Sequence, residues 1–274
     1  MPLSVAVGYA SLTGPRERNE DFCGFVTPEG SDLDNKGVLA AVADGIGGHR
    51  GGREAAEYTV RGLLADYYAT PDTWSIPRAL ETVTTALNRW VIAEAARNAE
   101  LAGMATTLSA LILRGRRYTL GHIGDSRIYR FQDGVLQQMT VDHTWEHPEL
   151  SNVLSRAIGL DPRVLMDFAD GDLAVGDRFI LVSDGVWGIL PDPLITEVLL
   201  DHPEPRAAAA ALTSLALAQG GHDNASAVVV DVVDLPPGNL RDVLETDGRL
   251  PLPHRLKPGH ELDGYLVDEI LHDS

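Results

Sequence analysis

Hydrophobic and polar positions change period several times along the chain, and each change predicts an element. Val5 to Ala10 alternates as a half-buried strand does, whereas Gly37 to Ala43 is a continuous apolar run of strand length. Arg53–Tyr68 and Ile76–Asn98 place Ala, Leu and Val at helical spacing. The period then drops to two through "TTLSALILRGRRYTLGHIGDSRIYRFQDGVLQQMT", with turns at Arg114-Gly115-Arg116, Gly124-Asp125 and Asp133-Gly134, the last a hairpin signal. "DRFILVSDG" predicts a buried strand, Pro193–Leu200 and Arg206–Gln219 predict helices, and "NASAVVVDVVDL" predicts a closing strand. Strands and helices come in separate runs, which points to an α+β domain rather than repeated βαβ units. From Pro236 to His260 the pattern gives way to Pro, Gly and charge, an extended linker by composition, before the short apolar segment "LDGYLVDEILHDS".

Size and charge narrow the class. With 274 residues and 44% hydrophobic content, one full core and a tail fit better than two small domains. The expected division is residues 1–235 as a domain, 236–260 as linker and 261–274 as tail. A formal charge of −18 argues against a nucleic-acid or anionic-membrane surface and suits a protein that binds cations. Cys23 is the single cysteine, so neither an internal disulfide nor a cysteine-based zinc cluster can form. No basic segment leads into a long apolar run at the N-terminus, and no apolar stretch reaches the ~18 residues of a membrane span, so a cytoplasmic location is expected.

Candidate chemistry begins at "AVADGIGGHRGGREAAEY", an apolar run ending in Asp44, followed by glycines and a helical pattern. Such an order could cradle a phosphate, but the glycine spacing matches neither the dinucleotide pattern nor the P-loop. A carboxylate facing a phosphate is repulsive unless a cation lies between them. Asp125, Asp184 and Asp223 likewise sit beside glycine at the ends of predicted strands, and "RERNED" adds Arg16, Glu20 and Asp21. Any one such aspartate is ordinary turn chemistry. Together they make an all-oxygen donor set with one guanidinium, suited to Mg²⁺ or Mn²⁺ and a phosphate rather than to zinc.

The order of these segments carries a resemblance. R-x-x-N-E-D at Arg16–Asp21, D-G-x-G-G at Asp44–Gly48, G-M-x-T-T at Gly103–Thr107, G-D-S-R at Gly124–Arg127, S-D-G at Ser183–Gly185 and G-x-D-N at Gly221–Asn224 resemble, in sequence, the PP2C-type metal-dependent Ser/Thr protein phosphatases of bacteria. The resemblance covers roughly residues 4 to 234 and implies an α/β/β/α four-layer sandwich, two mainly antiparallel sheets between helical layers. It implies that Asp44 bridges two Mn²⁺ or Mg²⁺ ions, with the Gly45 carbonyl on the second and Asp184 and Asp223 on the first. Glu20 and Asp21 would bind or orient metal waters, Asp125 with Asp184 would admit a third, weaker ion, Arg16 would hold the substrate phosphate, and Asn224 would stand behind the ligands. A hydroxide shared by two ions about 4 Å apart would then attack phosphorus directly, with no phosphoenzyme. Phosphorylated proteins are the implied partners, with a cognate Ser/Thr kinase in the same or a neighbouring chain.

Several positions depart from the family pattern. Ile46 stands where eukaryotic members often carry a histidine proposed as general acid, which leaves a metal-bound water as the expected proton donor. His49 and His122 are nearby in sequence, though a lone histidine is more often structural. "DHTWEHPELSNVLSRAIG", Asp142 to Gly159, is a compressed version of the helical flap of bacterial relatives. "SDLDNKG" lacks the closing acid of a calcium loop and reads as a turn. Trp74, Trp90, Trp145 and Trp187 are expected in core or flap packing, with Trp145 able to line a substrate groove. The tail resembles the strand that opens a protein-kinase domain. Two other functions compete: a catalytically weak scaffold with the same fold, and a small-phosphoester hydrolase.

Overall fold

A computed structural model describes residues 2–46, 51–145 and 153–238, and the backbone of 261–262 and 265–266. Two compact units result, Met1–Pro237 and Gly238–Ser274. In the second, Glu261–Leu262 and Tyr265–Leu266 form a small antiparallel pair; residues 239–260 of the expected 236–260 linker and most of the tail lie outside the described residues.

The first unit contains two five-stranded antiparallel sheets. One runs β1 (Ser4–Leu12), β12 (Ala225–Asp234), β11 (Arg178–Val182), β8 (Arg127–Gln132), β9 (Val135–Gln138). The other runs β10 (Asp167–Asp172), β7 (Arg117–Ile123), β6 (Leu108–Arg114), β3 (Val38–Ala43), β2 (Phe22–Val26). Between them lies a core of Val38, Val42, Leu111 and Leu113 from one sheet and Phe179, Leu181, Val228 and Val230 from the other. The alternate residues of β3, Leu39, Ala41 and Ala43, pack instead against helices α2 (Gly51–Ala69) and α3 (Ile76–Arg97). Ile180, Val182 and Val229 meet α5 (Asp192–Asp201) and α6 (Pro205–Ala218) on the opposite side. Four layers follow, and they explain why β3 reads as an unbroken apolar run: both of its faces are covered.

Local signals set the boundaries. Ser75 caps α3 by accepting from Arg78 N, with Pro77 in the first turn, and Glu204 caps α6 from Ala207 N at 2.7 Å. Asp133 and Gly134 both have positive φ, 51° and 81°, as a primed two-residue hairpin requires.

One expectation needs correction, and two strands went unread in the sequence. "SDLDNKG" is not a simple turn: Ser31–Asn35 forms a short helix, α1, closed by the Lys36 amide donating to Asp32 O at 2.8 Å. Strands β2 and β10 carry no clear signal, because β2 contains Cys23 and Gly24 and β10 contains three aspartates. In β10 those charges sit on a sheet edge, where Arg117 pairs with Asp170 and, at 2.8 Å, with Asp172.

Candidate active site

Strand ends bring the candidate acids together. β3 stops at Ala43, and Asp44 leads into β4 (Gly45–Ile46), which pairs with β5 (Ala105–Thr106). This pairing fixes the backbone of Asp44. Its amide donates to Thr107 Oγ1 at 2.8 Å, and its carbonyl accepts from Thr107 N and Thr106 Oγ1, both at 2.9 Å. Thr107 Oγ1 in turn shares a proton with Ser126 Oγ at 2.7 Å, tying the first acid to the G-D-S-R turn that carries Asp125.

Beyond Asp44, space is tight enough to demand glycine. A Cβ on Gly45 would lie 2.1 Å from Gly52 O, so the first turn of α2 abuts the loop directly. The Gly45 amide donates to Glu20 O at 3.2 Å, and the Glu20 carboxylate lies against Gly52. Gly47, Gly48 and His49 lie outside the described residues; Ile46 is exposed at the rim.

The second acid follows β11. Ser183 precedes Asp184, which opens helix α4 (Asp184–Trp187). Ser183 Oγ donates to Asp21 Oδ2 at 2.7 Å and accepts from Ser226 N at 3.0 Å. Asp223 precedes β12 and accepts from Asn224 N at 2.8 Å. Asn224 holds the "RERNED" loop: its side chain donates to Thr13 O (2.8 Å) and Arg18 O (2.9 Å) and accepts from Glu20 N (2.8 Å). Asn224 thus stands behind the acids. Arg16 extends from the same loop to pair with Asp223 at 2.6 Å, with about half of its side chain exposed.

The electrostatics identify the cluster. Burial, then Asp21 and Asp184, push Asp44 well above the usual carboxylate range, and its carboxyl hydrogen-bonds that of Asp184. Burial, then Asp184 and Asp142, lift Asp125 to about 7, and burial lifts Asp21 to about 7 despite its serine partners. Asp184 is raised as well, again mainly by burial and with Asp223 adding to it. The structure therefore brings together Asp21, Asp44, Asp125, Asp184, Asp223 and Arg16, with Glu20 and Gly45 on the adjoining backbone. Among the described residues no three His, Cys, Asp or Glu side chains form a ready metal-binding group. The acids make a negative field rather than a finished cage. The donor set fits hard divalent cations nonetheless: every ligand is oxygen, several are desolvated, and the one guanidinium reaches Asp223.

Residues beside the cluster have other tasks. His122 is buried in β7, held by Ser109 Oγ at 2.9 Å and Val141 O at 3.1 Å, and burial with His143 lowers it to about 4; these contacts are structural. Arg127 forks onto Asp142 at 2.7–3.2 Å and stacks 3.5 Å over Trp187, linking the base of the flap to α4. Trp145 is 55% exposed, and its amide meets Val153 O at 3.1 Å; residues 146–152 of the compressed flap lie outside the described residues. Sequence reading missed Thr106, Thr107, Ser126, Ser183 and Ser226, although four of the five lie inside the quoted motifs. Only the acids were read there, yet the hydroxyls set the acids in place.

Two sheets between helical layers, with acids at adjoining strand ends, are the architecture of a metal-dependent phosphatase class. The chain belongs to the protein phosphatase 2C family, whose model matches residues 15–219. It is 35% identical over 242 residues to the serine/threonine protein phosphatase PstP of Mycobacterium tuberculosis, covering 79% of this chain and 45% of the relative. The chain thus spans about half the length of that relative. It is 30% identical over 235 residues to the serine/threonine phosphatase stp of Listeria monocytogenes, covering 79% of this chain and 91% of the relative. A crystal structure of the PstP catalytic domain in complex with two manganese ions superposes with a TM-score of 0.71 at 34% identity, covering 84% of this chain and 100% of that one.

Proposed function

We propose that the chain is a Ser/Thr protein phosphatase that requires two Mn²⁺ or Mg²⁺ ions, with a third bound more weakly. The observation that carries this reading is the convergence of five aspartates from separate strand ends with Arg16 at one locus. Asp44, with the Gly45 carbonyl, Asp184 and Asp223 would hold the two ions, Glu20 and Asp21 would order their waters, and Asp125 would serve the third. When bound, the ions polarise the phosphoryl oxygens and make a water nucleophilic near neutral pH.

The protein's own part is positional and electrostatic. Thr106 and Thr107 fix the direction of Asp44 through its backbone, and Ser183 does the same for Asp21 through its carboxylate. Arg16, about half exposed beside Asp223, would clamp the phosphate with its planar fork of donors. Phosphorylated proteins are the substrates this reading calls for, in bacterial signalling, and a Ser/Thr kinase is their source. The paired strands at Glu261–Leu262 and Tyr265–Leu266 are compatible with the start of a kinase domain. Among the described residues no helix is long and apolar enough to cross a membrane; action in the cytoplasm is part of this proposal.

The test is phosphate release from a phosphothreonine peptide with Mn²⁺, with EDTA, and with Asp184→Asn. Metal-dependent turnover lost in the variant supports the reading. A folded, metal-binding protein without turnover on peptides would sink it in favour of a scaffold, and turnover confined to small esters would redirect it to the phosphoester alternative.

A further inference from the structure

Away from the acids, the outer helical layer carries a second feature. A cavity of about 570 Å³ opens between α2 and α3, lined among others by Glu54, Tyr58, Asp66, Trp90, Glu94 and Leu101. Its wall includes two aromatic rings, Tyr58 from one helix and Trp90 from the other, stacked parallel with centroids 3.3 Å apart and an interplanar angle of 8°. Tyr58 is 37% exposed, so part of its ring remains accessible. A Cβ on Gly62 would meet Leu87 at 2.4 Å, so this glycine lets the helices approach while leaving the groove above them open.

Around the rings the lining carries four carboxylates, Glu54, Glu57, Asp66 and Glu94, against one guanidinium, Arg61. Glu57 is partnered by Arg61 at 2.9 Å and Arg53 at 3.7 Å, and Arg61 also lies over the Phe22 ring. No cationic partner is found for Glu54, Asp66 or Glu94 among the described residues. Glu54, Tyr58, Gly62 and Asp66 recur every fourth residue, so they form a stripe along α2 about 18 Å long. That length suits an extended peptide of about five or six residues better than a point ion. A planar guanidinium is the group that can both stack on an aromatic face and pair with carboxylates.

We propose that the α2/α3 groove docks an extended, arginine-bearing segment of a partner protein, with a guanidinium on the Tyr58–Trp90 rings and flanking cations against Glu54, Asp66 and Glu94. The occupant is defined by charge complementarity to an aromatic, acid-lined groove. Its position is distinct from the aspartate cluster, so it stands whether or not that cluster is catalytic.

The probe is the capped peptide Ac-Ala-Arg-Leu-Arg-Ala-NH2, titrated calorimetrically into the full chain at physiological ionic strength, beside the same peptide with citrulline for arginine. Expected results are a Kd below millimolar, at least tenfold weaker binding of the citrulline peptide, and about tenfold weaker binding to Glu54→Gln/Asp66→Asn/Glu94→Gln. Tyr58→Leu should weaken binding about threefold and Tyr58→Phe should retain it; circular dichroism verifies that each variant is folded. Equal affinity for the triple variant overturns the proposal, as does loss of binding in Asp184→Asn, which would place the peptide on the aspartate cluster. No binding up to millimolar peptide overturns it too.

Discussion

Strands β11 and β12 carry aspartates at both ends, and the two ends are compensated differently. At one end Asp177, fully buried, is gripped by Arg130 at 2.6 and 3.1 Å and caps Ala174 N at 2.8 Å. Beside it Arg178 forks onto Asp231, both contacts at 2.7 Å. At the other end Asp184 and Asp223 face Asp21 and Asp44, and what surrounds them is mostly neutral: serine and threonine hydroxyls, an asparagine, backbone amides and one half-exposed Arg16. One residue type therefore does opposite things within a single pair of strands. Where the arginine is built in, losing the aspartate would strand a buried charge; where it is not, the aspartates repel one another, the arrangement that the proposed function reads as a cation site.

The sharpest way to break this contrast is Asp184→Asn. Loss of a hydroxyl behind a metal ligand typically costs 10–100-fold, so loss of the ligand should lower phosphate release by more than ~100-fold, with an unchanged circular dichroism spectrum. The matching substitution at the other end, Asp177→Asn, should act on stability instead. It leaves the 18%-exposed Arg130 guanidinium without its anion and should cost about 3 kcal/mol, read from the urea midpoint, while turnover per folded molecule stays within about twofold.

Thr107→Val tests whether the hydroxyls position the acids. It removes the acceptor for Asp44 N and the link to Ser126, and should weaken Mn²⁺ activation about 10–100-fold, with Thr107→Ser restoring it. The smallest expected effect is in the pH dependence of stability. Asp21 and Asp125, lifted from 3.8 to about 7, bind more protons in the folded than in the unfolded state, so stability falls as pH rises through that range. His122, lowered from 6.5 to about 4, opposes this only below its unfolded value. In EDTA the melting temperature should therefore rise between pH 8 and pH 6.5, and saturating Mn²⁺, which competes with those protons, should reverse the slope. A flat profile in EDTA would mean that the acids are not desolvated as described.

Much of this was legible before the structure. β3, β6, β7, β11 and β12 are written as apolar runs or alternations because the sandwich covers them on one or both faces, and α2 and α3 announce themselves through helical spacing. The acids were legible because aspartate next to glycine at several strand ends, in one fixed order, is a compound signal. β2 and β10 were not, since cysteine, glycine and aspartates on a sheet edge give no period. Thr106, Thr107 and Ser183 were not either, because a hydroxyl in a sequence does not say which amide or carboxylate it will meet.

The sequence by itself determined which segments extend or coil and where several strands yield to an acid, because these depend on periodicity and on neighbours a few residues away. Only the tertiary structure decided that Asp21 lies against Ser183, 162 positions away, and that Asn224 binds the loop at Arg18, 206 positions away. It also decided which acids were matched one to one with an arginine and which were gathered together around a single one. Those outcomes depend on how the sheets register and how closely α2 approaches Gly45, and local sequence carries no record of such distances.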